Sequence, residues 1–154
     1  MSSETLNIPE GFKPLPISSG FIGVNGPLYM RRVSRPDGDI AQAGFRVEER
    51  HTNPMGNCHG GMLATFADML LPVCIHRQAK EVRNHFLPTI NLQIDYLAPA
   101  PLGSWVQGEV QVLRVTRSMV FAQGLATADG VPAIRVSGIF KIGKPFPGRE
   151  EAIG

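Results

Sequence analysis

From Gly60 to about Gln78 the chain carries apolar residues at helical spacing, Leu63, Phe66, Leu70 and Val73. Met62, Ala67 and Met69 widen that stripe until almost no polar face is left. A helix that is apolar nearly all round has to be wrapped by something else. No other segment has a convincing helical period, so the wrapping must come from strands. Pro72 lies inside the predicted helix and has no N–H, so the Asp68 carbonyl loses its partner and a kink is expected there.

The last third changes its period from 3.6 to 2. Over Thr89–Tyr96, Ile90, Leu92, Ile94 and Tyr96 fall on one face and Thr89, Asn91, Gln93 and Asp95 on the other. Trp105–Val115, Met119–Thr127 and Ala133–Ile142 read as three more strands, with a tight turn at Ala128-Asp129-Gly130. Leu28–Val33 and Ile40–Arg50 read as an earlier hairpin around the Ser34–Asp39 turn. The expected architecture is α+β, an antiparallel sheet of five to six strands against one long helix. Residues 1–27 are expected as an extended lead-in with one short helical turn near Phe21, 28–142 as the domain, and 143–154 as a loose tail. One helix and one sheet leave much surface uncovered, which points to self-association.

Composition removes several functions. Of 154 residues, 15 are basic and 13 acidic, a net charge of +2, and no basic run or patch suits nucleic acid. The longest apolar stretch is Met69–Ile75, seven residues against the roughly twenty of a membrane span. Residues 1–11 have no basic start and no apolar run, so a secretory signal is not expected and a cytoplasmic location is. Cys58 and Cys74 form no CxxC pair and no zinc spacing, and are expected as reduced thiols.

Between His51 and Lys80 the only acidic residue is Asp68. Burial on an apolar helix would raise its pKa toward that of a useful base; the alternative is that Asp68 points to solvent or to a neighbouring helix, and the residues leave both open. His59-Gly60-Gly61 opens the same helix, and its unpaired N–H groups suit a developing oxyanion. A plain glycine turn is the alternative. Asp68 stands nine residues past His59, roughly 13 Å along the axis, too far to serve its own helix start. If the two act together, they do so across a dimer interface. His51 and His59 have no third ligand in view, so no metal site is expected. Cys58 reads as a small buried thiol, and Arg114, Arg117 and Ser118 cluster at a strand turn that is either solvated or a phosphate contact.

Asn53-x5-His59-Gly60-Gly61-x6-Asp68, followed by Thr89-x6-Tyr96-x2-Pro99, resembles the hotdog-fold acyl-CoA thioesterases of the phenylacetate-pathway branch. The similarity runs from about Gly20 to Lys141 and includes Val112–Ser118, which resembles the family's strand turn near the nucleotide end of CoA. The resemblance implies a hotdog fold and hydrolysis of an acyl-CoA to a free acid and CoA, with no metal or redox cofactor. It implies that Asp68 is general base or nucleophile and that the Gly60 N–H polarises the thioester carbonyl. Asn53 would position water or the carbonyl, His59 would orient the Asn53 loop, and Thr89 would stand near the attacking water. Gly61, Arg117 and Ser118 would contact CoA. The partners implied are an acyl-CoA substrate and further copies of the chain, as a homodimer at least and a homotetramer, with no nucleic acid and no membrane.

Two departures from the family pattern matter. Pro72 stands one turn past Asp68, where some relatives place a hydroxyl. The loop before the helix carries Asn53 and Asn57 rather than an Asp, and lacks the Asp and His pair of the hydratases of this fold. A different class on the same fold, a non-catalytic acyl-CoA binding or sensing module, has no need of Asp68.

Overall fold

A computed structural model of the protein describes residues 7–147. The chain enters through β1 (Lys13–Pro14) and α1 (Gly20–Asn25), then forms a hairpin of β2 (Tyr29–Val33) and β3 (Ile40–Arg46). A 3-10 turn at Glu49–His51 leads to α2 (Gly60–Gln78). The last four strands are β4 (Thr89–Tyr96), β5 (Trp105–Val115), β6 (Met119–Ala128) and β7 (Val131–Lys141). All pair antiparallel in one seven-stranded sheet, in the order β1-β2-β3-β5-β6-β7-β4. Six of these strands are those expected, and the seventh is the two-residue β1.

The sheet curls around α2. Met62, Leu63, Phe66, Ala67, Leu70, Leu71, Cys74 and Ile75 of the helix are buried. They meet Phe45 of β3, Val106 of β5, Val120 of β6 and Phe140 of β7 in one core. The Leu, Ile, Phe, Met and Val side chains among them each gain about 1.5–3 kcal/mol from leaving water. Two sheet positions must be glycine for the helix to come this close. A Cβ on Gly108 would stand 2.8 Å from Leu70 Cδ2, and one on Gly138 2.6 Å from Leu71 Cδ1. Pro72 is accommodated within the helix.

Three expectations are corrected. The strand expected over Ile40–Arg50 ends at Arg46, because the next residues turn back to carry His51 into the core. The lead-in packs rather than merely extends. Phe12 is buried against Tyr29 and Trp105 on the outer side of the sheet, with Arg31 over the Phe12 ring and Arg46 over the Trp105 ring. The tail expected to be loose from residue 143 is docked as far as Phe146. Gly143 N–H donates to Phe86 O (2.8 Å), Phe86 N–H to Lys144 O (3.0 Å) and Phe146 N–H to Asn84 O (2.8 Å). The rest of that tail, 148–154, and residues 1–6 of the lead-in lie outside the described residues. Among the described residues no helix is long and apolar enough to cross a membrane.

One stripe of α2 stays uncovered in the single chain. Gly61 and Asp68 are exposed, and Ala64, Thr65, Met69 and Pro72 are half-buried. Beside that stripe lies β4, the last strand of the sheet, with Ile90 51% and Tyr96 54% exposed.

Candidate active site

The chain brings its candidate residues together in two groups. The first surrounds Asp68. Thr89 donates its hydroxyl to Asp68 Oδ1 at 2.6 Å. The alternation of β4 assigns Thr89 to the face away from Leu92, and this is corrected: the pairing with β7 slips between Thr89 and Asn91. That bulge inserts one residue and turns Thr89 to the helix side. Asp68, Thr89 and Leu92 thus line one cavity of about 420 Å³, with Ala64, Thr65 and Met69 of α2. Phe21 and Ile22 of α1 complete its lining. Asp68 is exposed in the single chain, not buried as an apolar helix would suggest. It projects from the uncovered stripe, opposite the side chains that meet the sheet.

The second group surrounds the start of α2. His59 is its N-cap, and its Nδ1 accepts the Gly61 N–H at 2.8 Å. The imidazole therefore occupies the Gly61 amide, which is not free to meet a ligand as expected. The Gly60 N–H makes no hydrogen bond among the described residues. It points out of a helix start, where the macrodipole favours negative charge. Tyr96 donates its hydroxyl to Gly60 O at 2.8 Å, and its ring lies 3.5 Å from where a Gly60 Cβ would be.

The Asn53 loop stands beside this helix start. The Asn53 side-chain oxygen accepts from Met55 N (3.0 Å) and Asn57 N (3.2 Å), which folds the loop on itself. Its amide NH2 is left as the group that can reach outward. Among the described residues the His59 side chain makes no hydrogen bond to this loop. That side chain caps α2, and the link to the loop runs through backbone, His59 N–H to His51 O at 2.7 Å.

His51 is neither ligand nor base. It is buried, its Nδ1 accepts the Glu48 N–H at 3.0 Å, and Nε2 meets Asn25 O at 2.7 Å. A backbone N–H can only donate and a carbonyl only accept, so the ring is the neutral Nε2–H form. Burial lowers its pKa, with the Arg50 charge adding to the effect. Burial pushes the Cys58 thiol up to about 12, which makes it a poor nucleophile. Among the described residues no group of three or more His, Cys, Asp or Glu could hold a metal ion.

Arg117 and Ser118 occupy the exposed turn between β5 and β6. Thr89 pairs with Phe140, Phe140 with Val120 and Val120 with Val115. The turn therefore sits at the Thr89 end of the sheet, two to three strand spacings or about 10–14 Å away.

The sequence reading missed two contributions. Tyr96 packs on the helix start, which its place in the quoted pattern hinted at without giving a contact. Phe21 and Ile22 reach the cavity from the lead-in. Their signal was an isolated apolar pair between Gly20 and Gly23.

Comparison with known proteins gives the family. The model of the thioesterase superfamily matches residues 55–132. The chain is 30% identical over 124 residues to acyl-coenzyme A thioesterase 13 of Homo sapiens, covering 79% of this chain and 82% of that one. It is 28% identical over 137 residues to a Pseudomonas aeruginosa protein named as an esterase, covering 89% of this chain and 98% of that one. The crystal structure of zebra fish thioesterase superfamily member 2 superposes with a TM-score of 0.68 at 26% identity, over 82% of this chain and 88% of that one. With the sheet wrapped around its single long helix, the chain belongs to the thioesterase superfamily, the thioester hydrolases of the hotdog fold.

Proposed function

We propose that the protein hydrolyses an acyl-CoA, in a site shared by two copies of the chain. The observation that carries this is the separation of the two groups along one uncovered stripe. Gly60 and Asp68 are eight residues apart, about 12 Å along α2. Neither group is a complete thioesterase site alone. If two helices meet antiparallel about a two-fold axis near Ala64, position 60 of one faces position 68 of the other. The small residues Gly60, Gly61 and Ala64 allow the close approach, and the exposed edge of β4 lies alongside to extend the contact.

In that arrangement the Gly60 N–H of one copy binds the thioester carbonyl oxygen, with the Asn53 amide beside it. Asp68 of the other copy, steered by Thr89, takes a proton from water as the water oxygen adds to the carbonyl carbon. The alternative is direct attack by the carboxylate, with water then releasing the acid. Either way the carbon–sulfur bond breaks, the electron pair leaves on sulfur, and the CoA thiolate is protonated. Arg117 and Ser118, at the Thr89 end of the sheet, bind the CoA phosphates in this reading. No metal or redox cofactor takes part in this scheme, and the pairing of dimers into a tetramer belongs to the same proposal.

Release of free thiol from a panel of acyl-CoA substrates tests the reading. Turnover that is lost in Asp68→Ala supports it. A protein that binds these thioesters without cleaving any would be a binding module instead. Label from heavy-oxygen water appearing in the Asp68 carboxylate after a single turnover would assign the nucleophile route.

A further inference from the structure

The cavity at Asp68 is bounded on one side by a part of the chain outside the helix and the four late strands. That part is α1, through Phe21 and Ile22. Ile22 is partly buried and packs on the core, so it is held. Phe21 is 67% exposed, a large apolar ring left in water beside a cavity. Among the described residues of the single chain the lining holds no Lys, Arg or His, and its only charge is the Asp68 carboxylate. The walls away from Asp68, Thr65 and Thr89 are Phe21, Ile22, Met69 and Leu92, all apolar.

The position of α1 is specified from outside the helix. Arg50 donates from Nη1 to Val24 O at 2.8 Å and from Nη2 to Gly26 O, and is itself held by Glu48 at 2.8 Å. His51 adds its Nε2–H to Asn25 O. The last three carbonyls of this segment are thus tied to the turn that leads into the Asn53 loop. A helix of only six residues would not hold a fixed place in water unaided.

We infer that Phe21 and Ile22 form a wall that selects a neutral, apolar acyl chain longer than acetyl, with Arg50 and His51 as its positioning residues. The inference rests on the acyl-CoA reading above. With the thioester carbon beside Asp68 and Thr89, the acyl chain runs along Met69 and Leu92 to meet the Phe21 ring and cover it. An acyl chain ending in a carboxylate would lose its hydration against the apolar wall of Phe21, Ile22, Met69 and Leu92, with Asp68 opposing it.

The test compares hexanoyl-CoA, acetyl-CoA and succinyl-CoA as substrates of the full chain and of Phe21→Ala. The wild type is expected to prefer hexanoyl over both others by about tenfold or more in kcat/KM, since its extra methylenes leave water against the wall. In Phe21→Ala the hexanoyl-to-acetyl ratio is expected to fall about tenfold, chiefly through KM. Arg50→Ala is expected to lower the same ratio, and Arg50→Lys to restore part of it. A merely structural role for α1 would lower all three substrates together and leave the ratios unchanged. Unchanged ratios, or a wild type that prefers succinyl-CoA, overturn the inference. A wild type that cleaves no thioester overturns the hydrolase reading instead. Calorimetry with a non-cleavable hexanoyl thioether of CoA then decides the wall: a Kd about tenfold weaker in Phe21→Ala upholds it, and an equal Kd overturns it.

Discussion

Thr89 gives its hydroxyl hydrogen to Asp68 across 2.6 Å, and so ties the edge strand β4 to the central helix α2. The bond leaves the second carboxylate oxygen free to meet water, and fixes the direction in which it points.

Asp68→Asn keeps shape and loses the base. Its kcat is expected to fall by about a hundred- to ten-thousand-fold, the usual worth of a positioned general base. Thr89→Val keeps the β-branch and loses the donor. A hydrogen bond to a charged group is worth about 1.5–3 kcal/mol, so turnover is expected to fall about tenfold or more, with Thr89→Ser close to wild type. Steady-state thiol release measures all three.

Gly60→Pro removes one N–H and little else. Proline is favoured in the first helical position, His59 already has the extended backbone that proline demands of its predecessor, and an added Cβ would meet only Tyr96 at 3.5 Å. The melting temperature is expected to stay within a few degrees by thermal denaturation. The kcat is expected to fall by about 10²–10³, as for removal of an oxyanion donor.

Mixing these two defects tests the shared site. A heterodimer of Asp68→Asn with Gly60→Pro has one site with both groups intact and one with neither. Mixed and refolded in equal amounts, the two inactive proteins should recover about a quarter of wild-type activity. A site contained within one chain would recover none. Ala64→Glu, in the middle of the stripe, should sediment as a monomer and be inactive.

Acid should destabilise the fold through two histidines. Burial lowers the pKa of His51, which faces Arg50 and Glu48, and of His76, which faces Arg77 and His85. The folded protein keeps both neutral while the unfolded chain protonates them below the ordinary value of 6.5. Their contribution is therefore complete above that pH and is lost as the pH drops beneath it. Melting temperatures between pH 8 and pH 5 should decline on the acid side, and His51→Gln should flatten the decline.

Gly138→Ala tests the close approach of helix and sheet. The new methyl would stand 2.6 Å from Leu71 Cδ1 and 2.7 Å from the Phe140 ring, both fully buried. Overpacking of this kind costs about 1–3 kcal/mol, so urea denaturation should give an earlier midpoint.

Periodicity made the framework legible. Gly60–Gln78 and the four late strands could be read because each repeats one rule over eight or more residues. Asp68, Gly60 and Asn53 were legible as candidates because an acid on an apolar helix, or two glycines at its start, is chemically conspicuous. Thr89 was placed on the wrong face because a single inserted residue at the bulge reverses the parity of everything before it. The exposure of Asp68 could not be read from the helix, since an all-apolar pattern does not say which side the sheet leaves open. His51 is expected to hold no metal, and its structural role was not legible either, since its Nε2 bond to Asn25 O joins residues 26 positions apart, which local pattern does not record.

The place of β4 in the sheet sets an order on biosynthesis. Among the described residues β4 pairs only with β7, which is synthesised three strands later, although β4 is the first strand after α2. A nascent chain that has emerged only through β6 has Asp68 and Thr89 but nothing to hold the second against the first. The carboxylate acquires its partner only when residues 131–141 have been made and paired. A chain cut before residue 131 would carry Gly60, Asp68 and Thr89 and still lack the strand that holds Thr89 in register.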